Sequence, residues 1–270
     1  MARRAQSLSQ DRVPGMSMSI KTAISRQWQR LRPGIPLNLE APRLYSERIQ
    51  WLKLYDERRD QAQWCDKVKA RDKVAAMGLA DLVVPLTDGY PRVCKNNHDS
   101  GYPLLCNNEQ EFRRAVAALK RKPSDYGANK GEWGYAGIAR KVYCEQALPN
   151  PLDCKFHMAC GEVRMIQMAT GGTGKVRHCL LYLPDGTPIP HRLSMREQWV
   201  PAPPLMPDWV PSLLPIAKQL SSGYRYVRVD LLHAAGKPWF GEMTFWPMSG
   251  FCDPVNDAYF GELIAWEKQT

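Results

Sequence analysis

Two carboxylates late in the chain have the clearest chemistry, because their spacing predicts that they face each other. Residues 224–231 alternate in hydropathy and include β-branched side chains, which is typical of a half-buried strand. A turn over 234–237 and a returning strand over 238–245 complete a hairpin. Asp230 and Glu242 then lie opposite each other or are offset by one residue, and directly opposed residues have Cβ atoms about 5 Å apart. Such acids repel unless a positive charge lies between them, and Mg²⁺ takes carboxylate oxygens together with substrate phosphates.

The same hairpin has a second interpretation. Asp230 and Glu242 would then be solvated acids on a surface hairpin, paired with Arg228 and Lys237. The hairpin pattern alone does not separate this interpretation from a metal site.

A strand that leads into small polar residues predicts a site for an anion. Residues 92–95 have a strand pattern and run into the loop over 96–101, Asn-Asn-His-Asp-Ser-Gly. Backbone N–H groups and a lysine converge on phosphate in loops of this kind. The glycine-rich residues 170–177 do not form a Walker A loop, because the first Gly and the final Ser or Thr of that motif are replaced.

The composition describes a globular chain that favours anionic partners. Its 270 residues suffice for one large domain or for two to three lobes. The 37 Lys and Arg against 27 Asp and Glu give a net charge of +10. The basic residues are scattered, so the charge favours nucleotides, acidic polysaccharide, nucleic acid or an anionic membrane surface without choosing among them.

The eight cysteines and five histidines do not have the spacing of a zinc site. We therefore predict reduced, structural thiols in a cytoplasmic protein. No stretch approaches the ~18 apolar residues of a membrane span. The basic N-terminus is not followed by an apolar segment, so a secretory signal is not expected.

The order of the motifs resembles that of the ATP-grasp ligases. Arg228-x-Asp230 and Glu242-x-Thr244 are similar to the superfamily's metal site, which has Arg-x-Asp and then Glu-x-Asn. Nearer the N-terminus, RLYSERIQWLKLYD and then CDKVKARDKVAAMG resemble the opening of the TupA-like ATP-grasp family. Its members are associated with bacterial cell-surface polysaccharide and teichuronopeptide synthesis. Thr244 stands where Asn is usual, and its hydroxyl is a shorter neutral oxygen ligand.

The resemblance implies a role for each matching residue. Asp230, Glu242 and Thr244 would hold Mg²⁺, and Arg228 would face the transferred phosphoryl group. The residues implied in binding ATP are Lys67, Lys95, Asn97, His98, Ser100, Gly101, Glu145, Gln146, Leu148 and Lys155, with Glu145 on the ribose and Gln146 to Leu148 as the hinge beside adenine. The residues implied in binding the substrate are Arg177, Ser249 and Gly250.

The resemblance also implies an α+β fold of the ATP-grasp type. Two α+β lobes with antiparallel sheets would hold the nucleotide between them. Residues 1–35 are polar, basic and interrupted by prolines and glycines, which predicts a flexible basic tail. The rest of the chain is expected to divide into a helical region over 36–85, a small lid subdomain over 86–148 and a C-terminal subdomain with the metal site over 149–270.

The implied activity is that of an ATP- and Mg²⁺-dependent carboxylate–amine ligase that forms an amide through an acylphosphate. Its expected partners are a small-molecule or glycan carboxylate and an amine, with no nucleic acid and no membrane span. Two alternatives stay open. A glycosyltransferase of the same pathway would use Asp230 and Glu242 for a metal-bound diphosphate, although the chain has no compact Asp-x-Asp motif. A non-enzymatic basic module for an acidic polymer is supported by the charge alone.

Overall fold

A computed structural model describes residues 19–56, 60–99, 103–122, 127–170, 178–195 and 198–266. Within these residues the helices are α1 (Ile20–Leu31), α2 (Tyr45–Tyr55), α3 (Gln61–Cys65), α4 (Lys67–Val74), α5 (Glu109–Lys120), α6 (Leu214–Ser221) and α7 (Asp257–Leu263). The strands are β1 (Arg92–Asn96), β2 (Leu104–Cys106), β3 (Val142–Gln146), β4 (Leu152–Ala159), β5 (Glu162–Thr170), β6 (His178–Tyr182), β7 (Gln198–Trp199), β8 (Tyr226–Ala234) and β9 (Lys237–Thr244).

Side-chain oxygens fix the starts of three helices. The Asp66 carboxylate accepts from the Val68 N–H at 3.1 Å at the start of α4. Asn108 accepts from the Glu111 N–H at 3.0 Å at the start of α5. Glu47 accepts from two backbone N–H groups that precede α2. Each cap satisfies donors that have no partner inside the helix, and the cap of α4 places its first residue beside the site described below.

The strands form two sheets. The small sheet has the order β2-β1-β3, is antiparallel, and packs against α5. The large sheet has the order β7-β6-β5-β4-β8-β9 and is antiparallel except for the pair β6–β7. Mixed helices and largely antiparallel sheets confirm the predicted α+β class.

The two faces of the large sheet differ in chemistry. Phe156, Val229 and Leu231 are completely buried and belong to the main hydrophobic core, which α6 also joins through Ala217 and Leu220. Because side chains alternate along a strand, the intervening residues of β4 and β8 lie on the opposite face. That face carries charged residues, and it is the face of the candidate site.

The hairpin of β8 and β9 is built with a two-residue turn and one bulge. Ala235 and Gly236 have φ values of 51° and 74°, which match the twist of a tight hairpin turn. The pairing shifts between Asp230 and Leu231, where Gly241 is the extra residue of β9. A Cβ atom at Gly241 would lie 2.8 Å from the Asp230 carbonyl oxygen, so the bulge requires glycine. This shift sets Asp230 directly opposite Glu242, which confirms the predicted pairing.

The expected flexible tail does not extend to residue 35. Residues 20–31 form α1, and Ala23, Ile24 and Trp28 on that helix are buried. The Arg32 guanidinium pairs with the buried Asp257 carboxylate at 3.0 Å. The apolar residues at four-residue spacing give α1 a face that packs on the rest of the molecule. Residues 1–18 lie outside the described residues.

The prediction of reduced thiols is wrong for one pair. Cys94 and Cys144 occupy directly paired positions of β1 and β3 and form a disulfide. Their 50-residue separation in sequence hides this proximity. Among the described residues, the cysteines outside this disulfide are Cys65, Cys106, Cys154, Cys160, Cys179 and Cys252. Among the described helices, none has the length and apolar character that crossing a membrane requires.

Candidate active site

Three neighbouring strands place charged residues on one face of the large sheet. Lys155 of β4 pairs in register with Asp230 of β8, and Asp230 pairs with Glu242 of β9. Arg228 pairs in register with Thr244. Two residues along each strand return a side chain to the same face. The predicted catalytic and metal-binding residues are therefore brought together with Lys155.

Asp230 is buried and surrounded by cations. The Arg228 guanidinium donates to both of its carboxylate oxygens, at 2.6 and 2.7 Å. Lys155 Nζ lies 3.0 Å from Asp230 Oδ2 and also donates to both oxygens of Asp153. Burial raises the pKa of Asp230, and the charges of Arg228 and Lys155 oppose that rise. Although burial disfavours the charged amine, Asp153 and Asp230 together raise the pKa of Lys155.

Glu242 faces two cations from different parts of the fold. Lys67 Nζ at the start of α4 lies 3.2 Å from Glu242 Oε2, and Arg228 Nη2 lies 3.5 Å from Oε1. Burial alone would raise the pKa of Glu242, but Lys67 and Arg228 outweigh it and lower the pKa to about 2. The Thr244 hydroxyl lies 3.3 Å from Glu242 Oε1 and accepts from Arg228 at 3.2 Å. The second interpretation of the hairpin, in which Asp230 and Glu242 are solvated surface acids, does not describe this structure.

The donor set of the hairpin fits a hard cation. Asp230, Glu242 and Thr244 offer only oxygen atoms, and Mg²⁺ prefers oxygen ligands shared between protein and substrate phosphate. In the part of the chain that the structure describes, no three His, Cys, Asp or Glu side chains are grouped so as to hold a metal by themselves. A site with two protein carboxylates would leave the remaining positions of the ion to phosphate and water.

Lys67 links the large sheet to the loop after β1. Besides pairing with Glu242, its amine donates to the Asp99 carbonyl, and its backbone N–H donates to the Asn97 carbonyl at 2.9 Å. The Asn97 side chain is completely buried and donates to the Asp66 carboxylate at 3.0 Å. Asn97 therefore fixes the position of Lys67, and its amide is used in hydrogen bonds within the protein.

The carboxylate of the loop's acidic residue, Asp99, has its own partners within the small lobe of chain around β1 and α5. The Asp99 carboxylate accepts from Asn96 Nδ2 at 3.1 Å and pairs with Lys122 at 3.0 Å. His98 is also buried, with 1% of its surface exposed. The negative charge of Asp99 is thereby neutralised by Lys122, just after the end of α5.

Glu145, the predicted ribose ligand, is buried between two cations of different elements. Lys95 of β1 pairs with its Oε2 and Arg71 of α4 pairs with its Oε1. Arg71 also donates to the Val84 carbonyl at 2.6 Å. Sequence analysis did not select Arg71. The available signal was its four-residue spacing from Lys67, which places both cations on one face of a helix.

The predicted hinge residues continue from β3. The Gln146 N–H donates to the Pro85 carbonyl at 2.9 Å, and the Ala147 N–H donates to the Pro91 carbonyl at 3.3 Å. The Gln146 side chain is exposed, and Leu148 is half-buried beside it. These hydrogen bonds tie the segment after Glu145 to the chain that precedes β1.

Two of the predicted substrate residues lie in a buried turn. Ser249 and Gly250 are both buried, and Ser249 Oγ donates to Gln27 Oε1 at 3.1 Å while it accepts from Lys53 Nζ at 2.9 Å. The Ser249 hydroxyl is therefore used inside the protein. The other predicted residues Ser100, Gly101 and Arg177 lie outside the described residues.

A buried polar chain continues the charged face beyond Arg228. His157 pairs in register with Arg228 and is completely buried. Its ring nitrogens lie 2.8 Å from Tyr226 Oη and 3.2 Å from Gln167 Oε1. Burial, together with the charges of Arg228 and Lys155, lowers the pKa of His157 to about 3. Sequence analysis missed His157, although its two-residue spacing from Lys155 predicts the same face.

Comparison with protein families gives one match. The model of the family described as TupA-like ATPgrasp matches residues 47–265, which include every site residue named above except Gln27. No curated protein matches the chain.

Solved structures resemble the chain only distantly. A D-alanine–D-alanine ligase from Helicobacter pylori has a TM-score of 0.47 and 11% identity, over 81% of this chain and 67% of that chain. A biotin carboxylase from Campylobacter jejuni has a TM-score of 0.43 and 16% identity, over 76% and 46%. A D-alanine–D-alanine ligase from Bacillus anthracis has a TM-score of 0.44 and 15% identity, over 76% and 64%. The chain thus spans less than two thirds of the latter two proteins.

Proposed function

The chain belongs to the TupA-like ATP-grasp family, and on that basis we propose that it is an ATP-dependent carboxylate–amine ligase. The observation that supports this most directly is the group of Lys67, Lys155 and Arg228 around Asp230 and Glu242. Cations from helix α4 and from strands β4 and β8 meet a pair of carboxylates on one face of a sheet. Transfer of a phosphoryl group needs this combination of positioning and charge neutralisation rather than a protein nucleophile.

The proposed mechanism starts from a charge-balanced site. In this structure, Asp230 and Glu242 form ion pairs with the lysines and the arginine that would bind ATP. Lys67, Lys95 and Lys155 would bind the phosphates, Arg228 would stabilise the charge of the transferred phosphoryl group, and Glu145 would accept from the ribose. Each lysine that turns to a phosphate would free a carboxylate oxygen. Asp230 and Glu242, with Thr244, would then hold Mg²⁺, which neutralises phosphate charge during transfer.

The proposed reaction joins a carboxylate to an amine. The γ-phosphoryl group of ATP would pass to a substrate carboxylate with release of ADP, and an amine would then displace phosphate to form an amide. We infer a carboxylate from a cell-surface polymer or its precursor, and a cytoplasmic site of action, from the family resemblance. The scattered basic residues and the charge of +10 favour such an acidic partner.

ADP release in the presence of candidate acids and amines tests the proposal. We expect sustained ADP formation only when both substrates are present, because the acid alone stops at the acylphosphate. Lys67→Met should abolish most of this turnover because a phosphate-binding charge is lost. Lys218→Met is the matched control, since Lys218 pairs with Glu162 at 2.8 Å on the surface. Equal rates for wild type and Lys67→Met would contradict the proposal.

A further inference from the structure

The turn after β9 has an unusual backbone. Met248 and Ser249 have φ values of 54° and 55°, so two consecutive residues with side chains are left-handed. L-residues rarely adopt this conformation, and it persists only where the surroundings hold it. We call Pro247–Gly250 the substrate loop, because the family resemblance implies that Ser249 and Gly250 bind the carboxylate substrate.

The amine of Lys53 is at the centre of the contacts that hold this loop. Lys53 is 1% exposed, and its Nζ lies 3.1 Å from the Ser249 carbonyl oxygen and 2.9 Å from Ser249 Oγ. The same amine donates to Gln50 Oε1 at 2.9 Å and to the Lys130 carbonyl at 2.8 Å. One nitrogen thus joins α2, the loop over 127–135 and the substrate loop.

Close packing on α2 leaves the loop little freedom. A Cβ atom at Gly250 would lie 2.5 Å from Gln50 Nε2 and 2.8 Å from Ile49 Cβ. Gln50 Nε2 also donates to the Ser249 carbonyl at 3.0 Å. Ser249 and Gly250 are buried, and Met248 is half-buried. Met248 is therefore the one partly exposed residue of this turn, and its side chain can report a change in the position of the loop.

Burying an amine costs free energy unless hydrogen bonds or charges compensate for it, so the burial of Lys53 requires specific contacts. Burial lowers the pKa of Lys53 to about 7, while the negative charge of Glu132 opposes that change and the charge of Lys130 adds to it. Both of these charges come from the loop over 127–135. Gln27 of α1 and Ser249 of the substrate loop, which also meet in this network, do not titrate in this range.

We propose that Lys53 is a positioning residue that fixes the left-handed turn of the substrate loop and thereby the place where the carboxylate substrate is held. This role rests on the proposed function. Lys53 does not touch the substrate, since its amine is enclosed by Ser249, Gln50 and the Lys130 carbonyl. It acts through the loop.

Methionine-methyl NMR tests the coupling on the intact chain. In protein labelled with [¹³C-methyl]methionine, the Met248 signal is assigned by its loss in Met248→Leu. We expect the wild-type signal to shift with pH with a midpoint of about 7 and to show no such shift in Lys53→Gln. In the control Lys130→Gln, the backbone acceptor remains. The midpoint should rise, because a neighbouring positive charge that lowers the pKa of Lys53 is removed.

A Met248 signal that does not titrate in folded wild type, or titrates equally in Lys53→Gln, would overturn the proposal. If Lys53→Gln does not fold, Ser249→Ala decides, because it removes only the Oγ contact: a midpoint identical to wild type contradicts the role.

The pH dependence of the kinetic constants is a second test. For the acid identified by ADP release, KM should follow the same midpoint in wild type while kcat does not. A KM that is independent of pH across that range would also contradict the proposal. Binding of ADP and Mg²⁺ is measured on the same samples. Its absence would contradict the ligase proposal while leaving the coupling of Lys53 to Met248 measurable.

Discussion

Each charge of the candidate site is balanced by a neighbour. Asp230 is held by Arg228 and Lys155, and Glu242 is held by Lys67 and Arg228. These pairs explain why two acids that face each other across a hairpin are stable side by side. They also determine what a substitution at Glu242 should do, since the loss of attraction to the cations outweighs relief of acid–acid repulsion.

Glu242→Gln should lower both stability and activity. The Glu242 side chain is 25% exposed, so removing one partner of its ion pairs should cost about 1–3 kcal/mol of unfolding free energy, less than for a fully buried pair. ADP formation should fall much further, because under the proposed function this carboxylate charge helps to hold Mg²⁺. Urea unfolding and an ADP assay measure the two effects. In Glu162→Gln, which breaks a pair on the surface, both should stay close to wild type; equal effects of the two substitutions would contradict the assignment.

The buried His157 predicts a dependence of stability on pH. Its pKa is lowered from 6.5 to about 3, so the unfolded chain binds a proton that the folded protein does not. His157 therefore supports the fold fully above pH 6.5 and loses that contribution as the pH falls towards 3, by about 1.4 kcal/mol per pH unit. The stability advantage of wild type over His157→Gln should shrink accordingly between pH 6.5 and 4. An advantage that stays constant over this range would contradict the burial of a neutral imidazole.

Among the elements, the β8–β9 hairpin sets the geometry of the site through its bulge. Gly241→Ala would bring a Cβ atom to 2.8 Å from the Asp230 carbonyl, so the backbone must move and Glu242 must shift relative to Asp230. We expect a loss of about 1–3 kcal/mol in stability and a larger loss of ADP formation. Gly236→Ala on the same hairpin is the control: it has open space but a φ of 74°, so it should cost about 1–2 kcal/mol without changing turnover. The same loss of activity in both variants would argue against a role for the bulge.

The sequence predicts such elements well where their pattern is local. Strict alternation indicates β8, and the turn at 234–237 predicts the returning strand β9 and confines the register closely enough to pair Asp230 with Glu242. The bulge at Gly241 and the partners of Glu145 follow from contacts between elements, which a local pattern does not contain. Arg71 shows the limit: its spacing from Lys67 places it on the right helix face, but only the fold brings it to Glu145.

At the scale of the whole molecule, contacts distant in sequence join the N-terminal helices to the C-terminus. Asp257 is 2% exposed, pairs with Arg32 and accepts from the Ser46 hydroxyl at 2.6 Å. One carboxylate thereby connects the end of α1, the start of α2 and α7. The composition of the first 35 residues suggested a tail, since it does not reveal contacts with a carboxylate more than 200 positions away.

Asp257→Asn tests whether α1 belongs to the folded body. The substitution keeps the size of the side chain but leaves the Arg32 guanidinium buried without its anion, so we expect a loss of about 3 kcal/mol in unfolding free energy. Asp72→Asn on the exposed side of α4 should stay within about 0.5 kcal/mol of wild type. Urea unfolding of both variants makes the comparison. A negligible effect of Asp257→Asn would show that the N-terminal contacts do not stabilise the fold.

Nucleotide-dependent stability tests the central claim most directly, because it needs no knowledge of the acid or the amine. If ATP and Mg²⁺ bind at Lys67, Asp230 and Glu242, the unfolding free energy should rise by about 2.7 kcal/mol when free ligand is at a hundredfold excess over its Kd. Lys67→Met should lose most of this increase at the same concentrations, and Lys218→Met should keep it. A folded wild-type protein whose unfolding free energy does not change with saturating ATP and Mg²⁺ would contradict the account.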